Sequence, residues 1–260
     1  AVSDTVSRRF SPVAVAKGVV VIDNSSAYRM DPEVPLIVPE VNPQDISWHK
    51  GIIANPNCST IIALVAVHAL HKAHPIKRMI VSTYQAVSGA GINGLKELEE
   101  QAADYASGRP ISENKVFQHQ IAFNLIPHID AFQDNGYTKE ELKMLNEGRK
   151  IFHEPDLDIT CTCVRVPVLR SHSESIYLEF NEKVSVKEAR ELISAAAGTK
   201  LVDEPDRNVY PMPLDTSNQD LVFVGRIRQD MTEENALEIR KGAATNAVQI
   251  AELIIAKERA

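Results

Sequence analysis

Cys58 lies in the run Asn55-Pro56-Asn57-Cys58-Ser59-Thr60, after the apolar stretch Gly51-Ile52-Ile53-Ala54. Ile61-Ile62-Ala63-Leu64-Val65-Ala66-Val67 follows, and no Gly or Pro interrupts the chain until Pro75. The pattern predicts a strand, a tight turn, and a buried helix whose first turn carries the thiol. At a helix start, free backbone N–H groups and the positive end of the helix dipole favour thiolate over thiol. The thiolate is the form that attacks. A free cysteine is more often a small buried hydrophobe. Here Asn-Pro before the sulfur and Ser-Thr after it set a turn and a polar helix start, which turns the reading towards a nucleophile. Cys161 and Cys163 read differently. They stand two apart in Ile159-Thr160-Cys161-Thr162-Cys163-Val164, on one face of a strand. No His or third Cys stands at ligand spacing, so they are strand residues and no metal site is expected.

The Cys58 run resembles the catalytic segment of aspartate-semialdehyde dehydrogenases. Three more segments resemble that family in the family's order. Val19-Val20-Val21-Ile22-Asp23-Asn24-Ser25-Ser26-Ala27-Tyr28-Arg29-Met30-Asp31 resembles the segment ahead of the nucleophile. Gln85-Ala86-Val87-Ser88-Gly89-Ala90-Gly91 resembles the substrate and nicotinamide loop. Arg165-Val166-Pro167-Val168-Leu169-Arg170-Ser171-His172 resembles the segment from arginine to histidine. Motifs in one order over nearly the whole chain are far more specific than any single one. The likeness is to the shorter bacterial form.

That resemblance implies a reaction and a division of labour. The reaction is NADPH-dependent conversion of L-aspartyl 4-phosphate to L-aspartate 4-semialdehyde, a cytoplasmic step feeding lysine, threonine and methionine synthesis. Cys58 attacks the acyl carbon and expels inorganic phosphate. Hydride then reduces the thioester to a thiohemiacetal, which collapses to the aldehyde. His172 is the implied acid–base group, since imidazole titrates near neutral pH. Gln85 orients the carbonyl. The planar fork of Arg165 holds the substrate carboxylate, and Glu140 pairs with its ammonium. Lys143 and Arg29 hold the phosphate, and Asn57 assists at the phosphate or oxyanion. Ser88 and Gly89 approach the nicotinamide of NADP, where glycine permits close backbone contact. A homodimer or tetramer is implied. Taken bare, Glu140 and Lys143 are three apart on one helix face and would pass for a surface ion pair. The order of the motifs gives them a role.

N-acetyl-glutamyl-phosphate reductase shares the cysteine–histidine logic, but an acylated amine cannot pair with Glu140. Glyceraldehyde-phosphate dehydrogenase has a different nucleophile segment. A catalytically silent oligomerisation or regulatory module is a rival of another class, separated from the enzyme by cofactor binding. A metal-dependent hydrolase lacks its His-Glu-x-x-His or cysteine cluster here.

These groups must be held by mixed elements. Strands are expected at 18–22, 79–83, 122–126, 158–168, 174–181 and 221–227. Helices are expected from Cys58 to near Pro75, at 93–106, from the capping box Thr138-Lys139-Glu140-Glu141 to about Phe152, from Ser185-Val186-Lys187-Glu188 to Gly198, and at 242–258. This implies α/β plus α+β architecture. The resemblance sharpens it to a partial Rossmann-type nucleotide domain joined to an antiparallel-sheet substrate and dimerisation domain with helices on one face. Residues 1–57 are expected to be the remainder of the nucleotide domain and 58–239 the catalytic and dimerisation domain. Residues 240–260 are expected to form a helix returning to the first. No glycine-rich βα turn precedes Val19, so the NADP site is expected to be incomplete. A stretch is also expected to be missing between Ile239 and Arg240, where the family has a short strand and polar turn. The net charge of -7 argues against a nucleic-acid partner, and no apolar run reaches membrane-spanning length.

Overall fold

The computed structural model describes residues 2–242 and 247–258. Helix α1 (Asp4–Val15) is capped by the Ser3 side chain, which accepts from Val6 N–H. Strand β1 (Val21–Asp23) starts later than expected because Gly18 turns the chain at φ +78°. A 3₁₀ turn (Pro43–Trp48) leads to β2 (Ile52–Ala54), which runs parallel to β1 with Ile22 opposite Ile53. Helix α2 (Cys58–Ala73) follows directly after a turn, as the apolar run predicts, and its residues from Ser59 to Val67 are buried all round.

Next come β3 (Ile76–Gln85), a 3₁₀ turn (Val87–Ala90), α3 (Gly91–Ala106) and α4 (Lys139–Phe152). Thr138 and Glu141 form the predicted capping box at the start of α4. The chain continues through β4 (Asp158–Arg165), β5 (Ser173–Phe180), α5 (Val186–Ala195), β6 (Thr199–Leu201), the short α6 (Pro213–Thr216), β7 (Val222–Gln229), β8 (Ala236–Gly242) and α7 (Ala247–Glu258).

Strands β3 to β8 make one six-stranded sheet in the order β4-β3-β5-β8-β7-β6. The sheet is mixed rather than purely antiparallel. The pairs β3–β4 and β6–β7 run parallel, since α3 and α4 cross over between β3 and β4. Val81, Cys161, Ile176 and Ile239 form one rung across four strands, all buried. They join the residues of α2 in a single core, each side chain contributing roughly 2 kcal/mol of burial. The opposite face of β3 and β5 is only half-covered at Ile80, Ser82 and Tyr177.

Two expectations need correction. Residues 122–126 are not a strand: Phe123 takes φ 60°, which breaks extension, and only Ile126 bridges to Arg165. Strand β8 runs through Ile239 and Arg240, opposite Ile176 and Ser175. The last helix does not begin at 242, where β8 ends; it is described from Ala247, and residues 243–246 lie outside the described ones. In α7, Ile250 packs with Ile37, Ile46 and Ile53 near the β1–β2 pair. No helix among the described residues is long and apolar enough to cross a membrane.

Candidate active site

Strands β3 and β4 end together, with Gln85 opposite Arg165 at their last rung. The open end of a parallel pair is where side chains and loops can converge on a ligand. Arg165 is fixed from both sides. Its backbone exchanges two 2.9 Å hydrogen bonds with Ile126, and its guanidinium donates to Ala86 O at 2.7 Å while lying over the Phe117 ring.

The nucleophile candidate arrives from α2. Asn57 is the N-cap residue, and its Oδ1 accepts from Ser59 N at 3.0 Å and Thr60 N at 3.4 Å. Cys58 is therefore the first helical residue. The Nδ2 group of Asn57 donates to Glu140 Oε1, which also accepts from Gln85 Nε2, both at 3.0 Å. Glu140 Oε2 accepts from Lys143 Nζ at 2.9 Å, and Lys143 donates to Asp130 at the same distance. Two carboxylates thus hold one ammonium.

These residues enclose a cavity of about 400 Å³ lined by Cys58, Gln85, Gly89, Arg165, Glu140, Lys143, Asp130, Arg29, Asn57, Ser26 and Ile129. A second hollow of about 300 Å³, lined by Leu98, Ala102, Ala122, Phe123, Pro167, Leu169 and Glu99, is mostly apolar. It offers no nucleophile. His172 stands just before β5 and is buried. Its Nδ1 accepts from Ala86 N–H at 3.0 Å, so the neutral ring carries its proton on Nε2. A Cβ on Gly89 would lie 2.8 Å from Arg165 Nη1 and 3.2 Å from His172 Nε2. Bare backbone is what lets arginine and histidine meet there.

Burial and charge act against the helix start at Cys58. Cys58 is exposed by surface area, yet protein packed around the sulfur pushes its pKa up to about 12, with the Glu140 charge acting in the same direction. Hydrogen bonds with Ser59 and the charge of Arg165 pull the other way but do not prevail. Burial and the Glu140 charge both oppose the thiolate that a helix start favours. Burial opposes the charge on Glu140, but Lys143, Gln85 and Asn57 together hold its carboxyl below the usual range. Burial likewise opposes the Lys143 ammonium, which Glu140 and Asp130 hold above its ordinary value. Burial lowers Arg165.

Known proteins resemble this chain over most of its length. A model described as "Semialdehyde dehydrogenase, dimerisation domain" matches residues 67–240, and one described as "Semialdehyde dehydrogenase, NAD binding domain" matches residues 1–49. An aspartate-semialdehyde dehydrogenase of Aquifex aeolicus (strain VF5) is 52% identical over 258 residues, covering 96% of this chain and 76% of its own length. The chain belongs to the aspartate-semialdehyde dehydrogenase family. A Bacillus subtilis (strain 168) member is 48% identical over 263 residues, covering 95% of this chain and 76% of its own. A Vibrio cholerae crystal structure of aspartate semialdehyde dehydrogenase II complexed with ASA superposes with TM-score 0.95 at 42% identity, covering 98% of this chain and 78% of that one.

Within this semialdehyde dehydrogenase fold, most of the sequence-picked residues converge. Cys58, Gln85, Gly89, Glu140, Lys143, Arg165, Arg29 and Asn57 all line the cavity. His172 adjoins it through Gly89. Ser88 does not line it; it is half-buried in the 3₁₀ turn and donates its N–H to Leu169 O. The Asn57 side chain is spent on capping α2 and on Glu140. Arg29 donates to Glu147 Oε1, Asn55 O and Asn24 O, which leaves part of its guanidinium for an anion. Sequence reasoning missed Asp130 and Glu147. Asp130 carries no motif signal: it takes φ 68° itself, in a loop. Among the described residues no cluster of His, Cys, Asp and Glu could hold a metal ion.

Proposed function

We propose that this cavity performs the phosphorylating aspartate-semialdehyde dehydrogenase reaction, joining L-aspartyl 4-phosphate and L-aspartate 4-semialdehyde through a Cys58 thioester. The carrying observation is that one cavity holds a thiol together with the buried arginine Arg165 and the buried glutamate Glu140. That combination fits an amino acid with a free carboxylate and a free ammonium beside a reactive acyl group. An acylated amine would leave the Glu140 charge unanswered, which disfavours the N-acetyl-glutamyl-phosphate reaction.

In this reading Arg165 grips the substrate carboxylate and Glu140 takes the ammonium. Lys143, released from one of its two carboxylates, meets the phosphate together with the free N–H groups of Arg29. Gln85 directs the carbonyl towards the sulfur. The Cys58 sulfur forms a bond to the acyl carbon, the carbon–oxygen bond to phosphate breaks, and inorganic phosphate leaves with the bonding pair and takes up the proton that the thiol loses. His172 offers Nε2–H to the carbonyl oxygen. For His172 to accept the thiol proton at Nε2, the Ala86 contact at Nδ1 must first be given up.

The close-packed, side-chain-free backbone at Gly89, with Ser88 beside it, fits a flat nicotinamide ring. When bound, NADP(H) supplies the hydride that interconverts thioester and aldehyde levels. The match of residues 1–49 to the NAD binding domain model supports further dinucleotide contacts in that part. Pairing with a second copy belongs to the same reading, supported by the match to a dimerisation domain and the half-covered sheet face at Ile80 and Tyr177.

The test is phosphate-dependent reduction of NADP by L-aspartate 4-semialdehyde. Turnover should require phosphate and vanish in Cys58→Ser, which keeps the shape but loses the good nucleophile. Turnover retained by Cys58→Ser would remove the thioester.

A further inference from the structure

Glu147 belongs to no motif. It follows Lys143 by one turn of α4, on the face that carries Glu140, and its side chain is only 2% exposed. Its carboxylate reaches two separate segments. Oε2 accepts from the backbone N–H of Asn57 at 2.6 Å, and Oε1 accepts from Arg29 Nη1 at 3.0 Å. Asn57 is the residue before Cys58 and caps its helix. Arg29 is tied to the same turn by donating to Asn55 O at 2.9 Å. One turn further along α4, Lys150 Nζ donates to the carbonyls of Arg29, Asp31 and Val34 at 2.7, 2.7 and 2.9 Å. Helix α4 therefore holds the nucleophile turn and the anion wall from behind.

The geometry points to Glu147 as a positioning residue that sets the direction of the Cys58 sulfur and the place of Arg29 with one two-pronged carboxylate. This rests on the reading of Cys58 as the nucleophile. Glu147 does not line the Cys58 cavity, so it acts through Asn57 and Arg29. Burial pushes its carboxyl up, against the pull of Arg29 and of the Asn57 N–H; accepting from two donors at once suits the ionised form. An amide would have one acceptor oxygen and would turn its own NH₂ towards the other donor. A small misdirection of a reacting atom costs rate without costing substrate affinity.

Glu147→Gln tests this with two readouts. We expect phosphate-dependent turnover to fall about tenfold or more, with the KM for the semialdehyde within about twofold, since Arg165 and Glu140 hold the amino-acid part. The inorganic phosphate concentration that half-protects Cys58 from iodoacetamide should rise by a similar factor, because Arg29 is loosened. Unprotected alkylation, which needs only thiolate and access, should keep its rate within about threefold and its pH dependence unchanged. Glu147→Asp keeps the charge but reaches only one donor, and should fall between; it carries the same readouts if the amide variant does not fold. Unchanged turnover and unchanged phosphate protection would overturn the role. So would a shifted alkylation pH dependence, which would mean that the charge acts on the thiol directly. A wild-type chain protected by phosphate but inactive on the semialdehyde would defeat the proposed reaction, while the protection constant would still judge Glu147.

Discussion

The Nδ2 group of Asn57 donates to Oε1 of Glu140 across 3.0 Å, although the two residues are 83 positions apart. The link ties the cap of the nucleophile helix to the carboxylate assigned to the substrate ammonium. It also places a negative charge close enough to Cys58 to raise its pKa. An arriving ammonium would neutralise that charge, so substrate binding itself would favour thiolate.

Glu140→Gln should therefore make Cys58 more reactive while spoiling catalysis. With the charge gone, a cause of the raised pKa disappears, and the pH dependence of iodoacetamide alkylation moves to lower pH. At pH 8 the alkylation rate should rise roughly tenfold, whereas the KM for the semialdehyde rises because its ammonium has lost its partner. Alkylation no faster than in wild type would show that packing alone holds the thiol protonated.

How far the sequence foretold this site depends on what each residue needed. Asn57, Cys58 and the capping box at Thr138 and Glu141 were legible because helix starts have local chemistry: a polar cap followed by an apolar run. The meeting of Gln85 with Arg165 needed a parallel pairing joined through two helices, which no local pattern encodes. Residues 122–126 misled because a short apolar segment looks extended; one left-handed residue, Phe123, left only Ile126 paired. The electrostatics of Cys58 were hidden for the opposite reason. The helix start is local, but the burial and the Glu140 charge that push the thiol up come from tertiary packing. Asp130 and Glu147 stayed hidden because acidic residues in a loop and on a helix usually face water.

Arg165→Lys should weaken substrate binding far more than turnover. Lysine keeps the charge but cannot offer a planar fork, and it cannot both grip a carboxylate and reach Ala86 O as Arg165 Nη1 does at 2.7 Å. Losing a charge-assisted bond of about 2 kcal/mol raises KM about 30-fold, with kcat reduced by less than about fivefold. Steady-state kinetics decide it: an unchanged KM for the semialdehyde would take Arg165 out of the substrate site.

His74 should make stability depend on pH. At the C-terminal end of α2 its Nδ1 lies 3.0 Å from Glu182 and its Nε2 2.9 Å from Glu188 in α5. The hydrogen bonds to Glu182 and Glu188 raise its pKa above the ordinary histidine value. A raised folded-state pKa contributes stability that is full below the unfolded value and is lost as pH rises through the folded one. His74→Gln should thus lower Tm more at pH 5.5 than at pH 9. Equal losses at both pH values would mean that the imidazolium form contributes nothing.

His172 offers the sharpest test of how the proton moves. With Nδ1 accepting from Ala86 N–H at 3.0 Å, the neutral ring is fixed with its proton on Nε2, a donor towards the site beside Gly89. A glutamine places its amide near the position of Nε2, whereas an asparagine places its own near Nδ1, where an N–H donor would face the N–H of Ala86. If the main work of His172 is to hydrogen-bond the carbonyl oxygen, His172→Gln keeps part of it and His172→Asn does not. The oxygen's partner is worth on the order of 100-fold in rate. His172→Gln should therefore retain at least about tenfold more kcat than His172→Asn. Equal, near-complete loss in the two variants would mean that proton acceptance dominates. It would also require the Ala86 contact to break during turnover, since a ring that takes the thiol proton on Nε2 must carry its other hydrogen on Nδ1.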